Sequence, residues 1–244
     1  MSKRVVVLSV LCATLLLASP VFAAPTVEEL LKSLSAKAAE TKTAEGDLAI
    51  QMSAPMDMKG VGKLYMAKAE VDGKPVEKML STVKMTMTGP DGEAMTMDIK
   101  MVNDGQFVWQ EMRMSMMPGT QVMKTRVEQE NLSVGPNSDI EQMKKQFDFT
   151  AVSEEKIDGR PVYVLTGKPK AETPMADQVS LVRLYVDSKT SFFRRLITID
   201  KDDKEMVRFD LTNVKINEKI DPKMFEYTPP EGAQVRDMTE ATEQ

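Results

Sequence analysis

Residues 94–101 read AMTMDIKM, and they decide the fold class. Met95, Met97, Ile99 and Met101 fall on one side of a period of two, while Thr96, Asp98 and Lys100 fall on the other. Successive side chains of an extended strand point to opposite faces, so this alternation describes a half-buried antiparallel strand. A helix would scatter the same methionines around its whole circumference.

The same period spreads outward from this segment, from about residue 45 to 130. It runs through Leu48, Ile50, Met52, Ala54 and Met56, through Met85 and Met87, and through Met112, Met114 and Met116. Turn signals divide the strands: GPDG at 89–92, NDG at 103–105 and MPG at 117–119, each rich in the residues that tolerate turn backbone. Further along, PVYVLTG, SLVRLYVD, FFRRLITID and MVRFDLTNVKI read as more strands. The segment IDPKMFEYTPPEGAQV is expected to be extended, and residues 236–244 to be disordered.

Two segments switch to helical spacing. Residues 26–40 place Val27, Leu30, Leu31, Leu34 and Ala38 on one stripe, with Thr26 and Glu29 spaced as a capping box. A helix that fills a core and one that lines a cavity have the same pattern. Residues 137–147 place Ile140, Met143 and Phe147 on a narrow stripe behind a second capping pair, Ser138 and Glu141. That stripe is the candidate lid.

The chain starts with Lys3 and Arg4, an apolar run from Val5 to Leu17 and a small-residue end, VFAA at 21–24. This is the pattern of a secretory signal peptide, which predicts cleavage after Ala23 and a periplasmic protein of residues 24–244 forming one domain. The run is shorter than the roughly 20 apolar residues a spanning helix needs. Cys12 lies inside the run, so no lipid anchor is expected there, and residues 24–244 hold neither Cys nor His. Nucleophilic Cys-His and Ser-His-Asp sites and His-built zinc sites are thereby excluded. The formal charge of −5 grows more negative once Lys3 and Arg4 leave, which argues against nucleic acid as a partner. A monomer is expected.

Methionine is the anomaly. The chain has 21, of which 15 lie between Met52 and Met123. An unbranched, polarizable thioether adapts to ligands of irregular shape, whereas a rigid sheet core favours Val and Ile. The candidate groove residues are Met52, Met56, Met85, Met87, Met95, Met97, Met101, Met112, Met114 and Met116, with Trp109. Two other readings stay open: the methionines fill an ordinary core, or their sulfurs hold copper(I). Spread over several strands without His or Cys, they do not read as a dedicated metal site, and no metal or cofactor is assigned.

The segment NDGQFVWQEM carries Asp104, Gly105 and Trp109 in the spacing DG-x-x-x-W. Near the other end, Asn217 precedes a run containing Phe225, Tyr227, Pro229, Pro230, Gly232 and Val235. Together these resemble the LolA-like outer-membrane lipoprotein carriers, and the order of helices and strands agrees over residues 24–244. The resemblance implies an α+β fold, an unclosed antiparallel β half-barrel with helices covering a concave apolar face. It implies that this face holds the acyl chains of a lipoprotein or lipid, with an inner-membrane donor complex and an outer-membrane acceptor as partners. No cofactor or catalytic residue comes with it. The arginine that such carriers place on an early strand has no counterpart in residues 44–60, and KLYMAKAE at 63–70 replaces the family's Arg-Pro element. A sensor module of the same fold, detecting lipid or lipoprotein in the envelope, is the alternative. An enzyme working through carboxylates is a third reading.

Overall fold

Strand alternation predicts a sheet with one apolar face, and the protein builds a single sheet of twelve strands. The computed structural model describes residues 24–53, 57–71, 73–88, 92–127, 140–173 and 176–239. The strands are β1 (Thr43–Met52), β2 (Met58–Val71), β3 (Lys74–Thr88), β4 (Ala94–Asn103), β5 (Phe107–Met114), β6 (Gln121–Arg126), β7 (Phe147–Ile157), β8 (Arg160–Pro169), β9 (Val179–Asp187), β10 (Phe193–Asp200), β11 (Glu205–Ile216) and β12 (Gln234–Asp237). Their spatial order is β12-β6-β5-β4-β3-β2-β1-β11-β10-β9-β8-β7. Neighbours pair antiparallel except β12, which lies parallel to β6. The edges β12 and β7 do not pair with each other, so the half-barrel is unclosed.

Two α-helices accompany the sheet among the described residues, α1 (Val27–Glu40) and α2 (Ile140–Gln146). Neither is long and apolar enough to cross a membrane. The α1 capping box forms as its sequence predicts: Glu29 N donates to Thr26 Oγ1 at 3.2 Å, and Thr26 N donates to Glu29 Oε2 at 2.8 Å. These bonds satisfy two of the amide donors that a helix start leaves free. Leu30, Leu31 and Leu34 are buried against Ala44, Leu64, Met66, Leu165, Leu184, Phe193, Leu196 and Leu211. The face carrying these residues is the inner face.

Several expectations are corrected. Phe147 is not on the lid helix: α2 ends at Gln146, and Phe147 opens β7. Its alternation continues into Phe149, so extended pairing with β8 prevails over the helical stripe. Strand β7 itself was hidden, because Ser153, Glu154, Glu155 and Lys156, exposed on both faces of this edge strand, break the apolar alternation. Residues 217–239 are not simply extended and then disordered. Pro222–Phe225 form a 3-10 turn capped by Asp221, and Arg236 and Asp237 belong to β12. Ser138, Met56 and residues 1–23 lie outside the described residues.

Candidate functional site

Register decides which methionines share a face. Across β1 to β4, Met52 stands opposite Met58, Met58 opposite Met87, and Met87 opposite Met95. On the next same-face rung, Met85 stands opposite Met97 and Met97 opposite Met114. Ile99 and Met112 form the following pair, and Met101 lies one rung beyond. Directly opposed residues project to the same side, and Leu48 and Leu211 carry this side over to the cluster under α1. All the described candidate strand methionines thus lie on the inner face.

The inner face has two unlike parts. Beneath α1 it is buried. Beyond α1, Leu48, Val83 and Met85 are buried, while Met52, Met58, Met97 and Ile99 are only partly covered. Phe209 packs against both parts. The methionine rim ends with Met114 at the tip of β5, 36% exposed, and with Met116 and Met117 in the β5–β6 turn, 71% and 45% exposed. Met116 therefore sits on the turn rather than on the sheet face. Gly60 on β2 makes room for the rim: a Cβ there would lie 2.2 Å from the Met85 sulfur.

The expected lid residues Met143 and Phe147 are buried in the α1 cluster, not in the one that holds Met85. Met58, Met66, Met79 and Met123 also belong to the inner face by register, facing Met52, Ala44, Met66 and Gln110 respectively. Period-two spacing within β2, β3 and β6 was their available signal.

Trp109 is the exception among the groove candidates, because it lies on the outer face. Its partners are Leu80, Val102, Phe225 and Tyr227, with the Tyr227 ring 5.4 Å away. The indole Nε1 donates to Asp104 Oδ2 at 3.0 Å, while Asp104 Oδ1 accepts from the amides of Gln106 and Phe107. Gly105, at φ 98°, supplies the left-handed turn between β4 and β5. The spacing DG-x-x-x-W is thus a folding device that holds a hairpin and presents an aromatic ring to the C-terminal segment.

The remaining motif residues do similar work. Asn217 Oδ1 accepts from Lys42 N at 2.7 Å, tying the end of β11 to the start of β1. Phe225, within the outer-face strap formed by residues 220–227, is 1% exposed. Tyr227 donates to the buried Glu111, and burial, then that hydrogen bond, raises the phenol above its ordinary pKa. Beside the strap lies a shallow outer-face depression of about 290 Å³, lined by Lys84, Asp98, Lys100, Glu111 and Arg113 among others. Those charges make it a poor seat for an acyl chain.

No family model matches the chain, and no curated protein matches it. Among solved structures, the chain is similar to an uncharacterized conserved protein from Thermus thermophilus. The identity is 12%, the match covers 87% of this chain and 99% of that one, and the TM-score is 0.51. It is also similar to MucB, known from Pseudomonas aeruginosa, at 16% identity over 83% of this chain with a TM-score of 0.47, and it spans 62% of the MucB chain. A LolA superfamily protein from Nitrosomonas europaea matches at 13% identity over 84% of this chain and 99% of that one, with a TM-score of 0.31. At such identities the likeness is one of fold, and the Thermus protein carries it. The architecture observed is the unclosed half-barrel that the motif resemblance implies.

Proposed function

We propose that the protein is a periplasmic carrier, acting after removal of residues 1–23, that holds the acyl chains of a lipid or lipoprotein against its inner methionine face. The observation that carries this reading is the pairing of methionines across β1 to β5 on the part of the inner face that α1 leaves half-covered. An acyl chain of sixteen carbons costs roughly 12 kcal/mol in water at about 0.8 kcal/mol per methylene. Its passage between two membranes therefore requires a cover. Flexible thioethers can repack around such a chain and release it again without a tight, slow-leaving fit.

An inner-membrane donor and an outer-membrane acceptor belong to the same proposal, since a carrier needs both. Native mass spectrometry of the protein isolated from its own envelope fraction without detergent tests the reading. A bound lipid or acylated polypeptide is the expected result, with an N-terminus at Ala24 or Pro25. Protein free of any acylated mass, unable to take up an acyl probe, would overturn it. Transfer of the bound mass to acceptor membranes then separates a carrier from a sensor.

A further inference from the structure

Dispersal over several strands is the sequence's argument against a metal centre, and the strand register removes it. Strands β3 and β4 each carry the triplet Met-Thr-Met, at 85–87 and 95–97. Antiparallel pairing sets Met85 opposite Met97 and Met87 opposite Met95, a rectangle of four thioethers on one face. Met58 extends one rung by pairing with Met87, and Met114 extends the other by pairing with Met97. Opposed Cβ atoms on neighbouring strands lie about 4.5–5.5 Å apart. Rotation about the Cα–Cβ and Cβ–Cγ bonds of methionine moves its sulfur, so several sulfurs can converge on one point between strands. At rest the Met85 sulfur fills the space that Gly60 leaves open above β2, on the side of β3 away from β4, so its side chain must turn to join Met97.

Composition separates this patch from the rest of the sheet. Strands β7 to β10 contain no methionine, and the inner face there is built from Phe147, Leu165, Val182, Leu184, Phe193 and Leu196. A general bias toward methionine would have reached both halves. An acyl chain, moreover, draws on the flexibility of these side chains and makes no use of the lone pairs of their sulfurs. Sulfur adds one further property: a thioether is a neutral, soft donor that suits copper(I) and poorly suits magnesium, calcium or zinc. Among the described residues no group of three or more His, Cys, Asp or Glu offers a harder ion a competing site. The patch is reachable through Met58, Met87, Met95 and Met97, which are half-buried, and Met114, which is 36% exposed, while Met85 forms its floor at 4% exposure.

We propose that this patch is a copper(I) site, with the thioethers of Met85, Met87, Met95 and Met97 as its ligands and Met58 and Met114 flanking them. Binding transfers no electron and needs no proton release, because thioethers carry no proton. The ion and an acyl chain would compete for the same rim, yet the ion's binding does not depend on the carrier reading.

The test is an anaerobic titration of the purified protein with the copper(I)–acetonitrile complex against bicinchoninate, together with a silver(I) titration followed through methionine methyl resonances. The protein should withdraw copper(I) from the chelator, and silver(I) should shift the methyls of Met85, Met87, Met95 and Met97 while leaving Met224 on the outer face unmoved. Replacing Met87, Met95 and Met97 by leucine keeps apolar volume and should weaken binding by about tenfold or more, whereas Met224→Leu should not. Failure to compete with the chelator, shifts confined to the exposed Met116 and Met117, or unchanged affinity in the folded triple variant would each overturn the proposal. The methyl map of the wild-type protein decides the matter even if the variant misfolds.

Discussion

Tyr227 donates a 2.8 Å hydrogen bond to Oε2 of Glu111, joining residues 116 positions apart across the outer face. Glu111 is 8% exposed, and its other oxygen pairs with Arg113 at 2.7 Å. The C-terminal strap is thus fastened by a polar contact at its end, by its own buried Phe225, and by the parallel pairing of β12 with β6 beyond it.

Tyr227→Phe should therefore destabilise the protein without altering the inner face. The variant leaves the buried carboxylate with one partner fewer, and a hydrogen bond to a charged group in this half-covered setting is worth about 1–2 kcal/mol. Denaturant unfolding would measure the loss, and acyl-probe affinity should stay as in wild type. A neutral effect on stability would mean that water replaces the phenol.

The same contact sets an alkaline limit. Burial first, and the bond to Glu111 second, raise the folded-state pKa of Tyr227 above its ordinary 10.0. A group whose folded pKa is raised contributes stability that is fully present below the unfolded value and is lost as pH rises from there through the folded value. Stability should consequently decline above pH 10, and Tyr227→Phe should flatten that decline. Melting curves of both proteins between pH 9 and pH 11 provide the comparison.

On the inner face, Met97→Asp should weaken binding of a fluorescent acyl probe by about tenfold or more, because an unpaired carboxylate is desolvated when the chain enters. The residue is partly covered by the cluster of Leu48, Val83 and Met85, so the fold should survive with a cost of about 1–3 kcal/mol. Thr96→Asp, projecting to the other face beside Ser115, should leave probe binding within about twofold. Loss of folding in Met97→Asp together with a wild type that binds no probe would reduce the methionines to core packing.

Amides of α2 should exchange faster with solvent than those of Met95–Met101 in β4. The helix has seven residues, too few for stability of its own, and it is held through Met143 against the α1 cluster. Strand β4 is paired on both sides. Hydrogen exchange read by mass spectrometry, with and without lipid, decides whether α2 opens as a lid. Equal, deep protection of both segments under both conditions would rule out that role.

Alternation in AMTMDIKM was enough to establish strands, and the helical stripe of Leu30, Leu31 and Leu34 enough to establish α1 with its capping box. Both are local signals: a period of two or 3.6 is written into consecutive residues. The motif residues around Asp104 and Asn217 stood out through the family resemblance instead: Asp104 serves a turn within a few positions of itself, whereas Asn217 reaches Lys42, 175 positions away. Long-range pairing has no such trace. Sequence placed Trp109 among the groove residues although the strand's own alternation sets it on the other face from Met112 and Met114; what only the tertiary structure shows is that Tyr227, 118 positions away, packs on it there. Sequence likewise read Met85, Met87, Met95 and Met97 as four dispersed side chains. Only the antiparallel register, which depends on where every other strand lies, brings them onto adjacent rungs of one face.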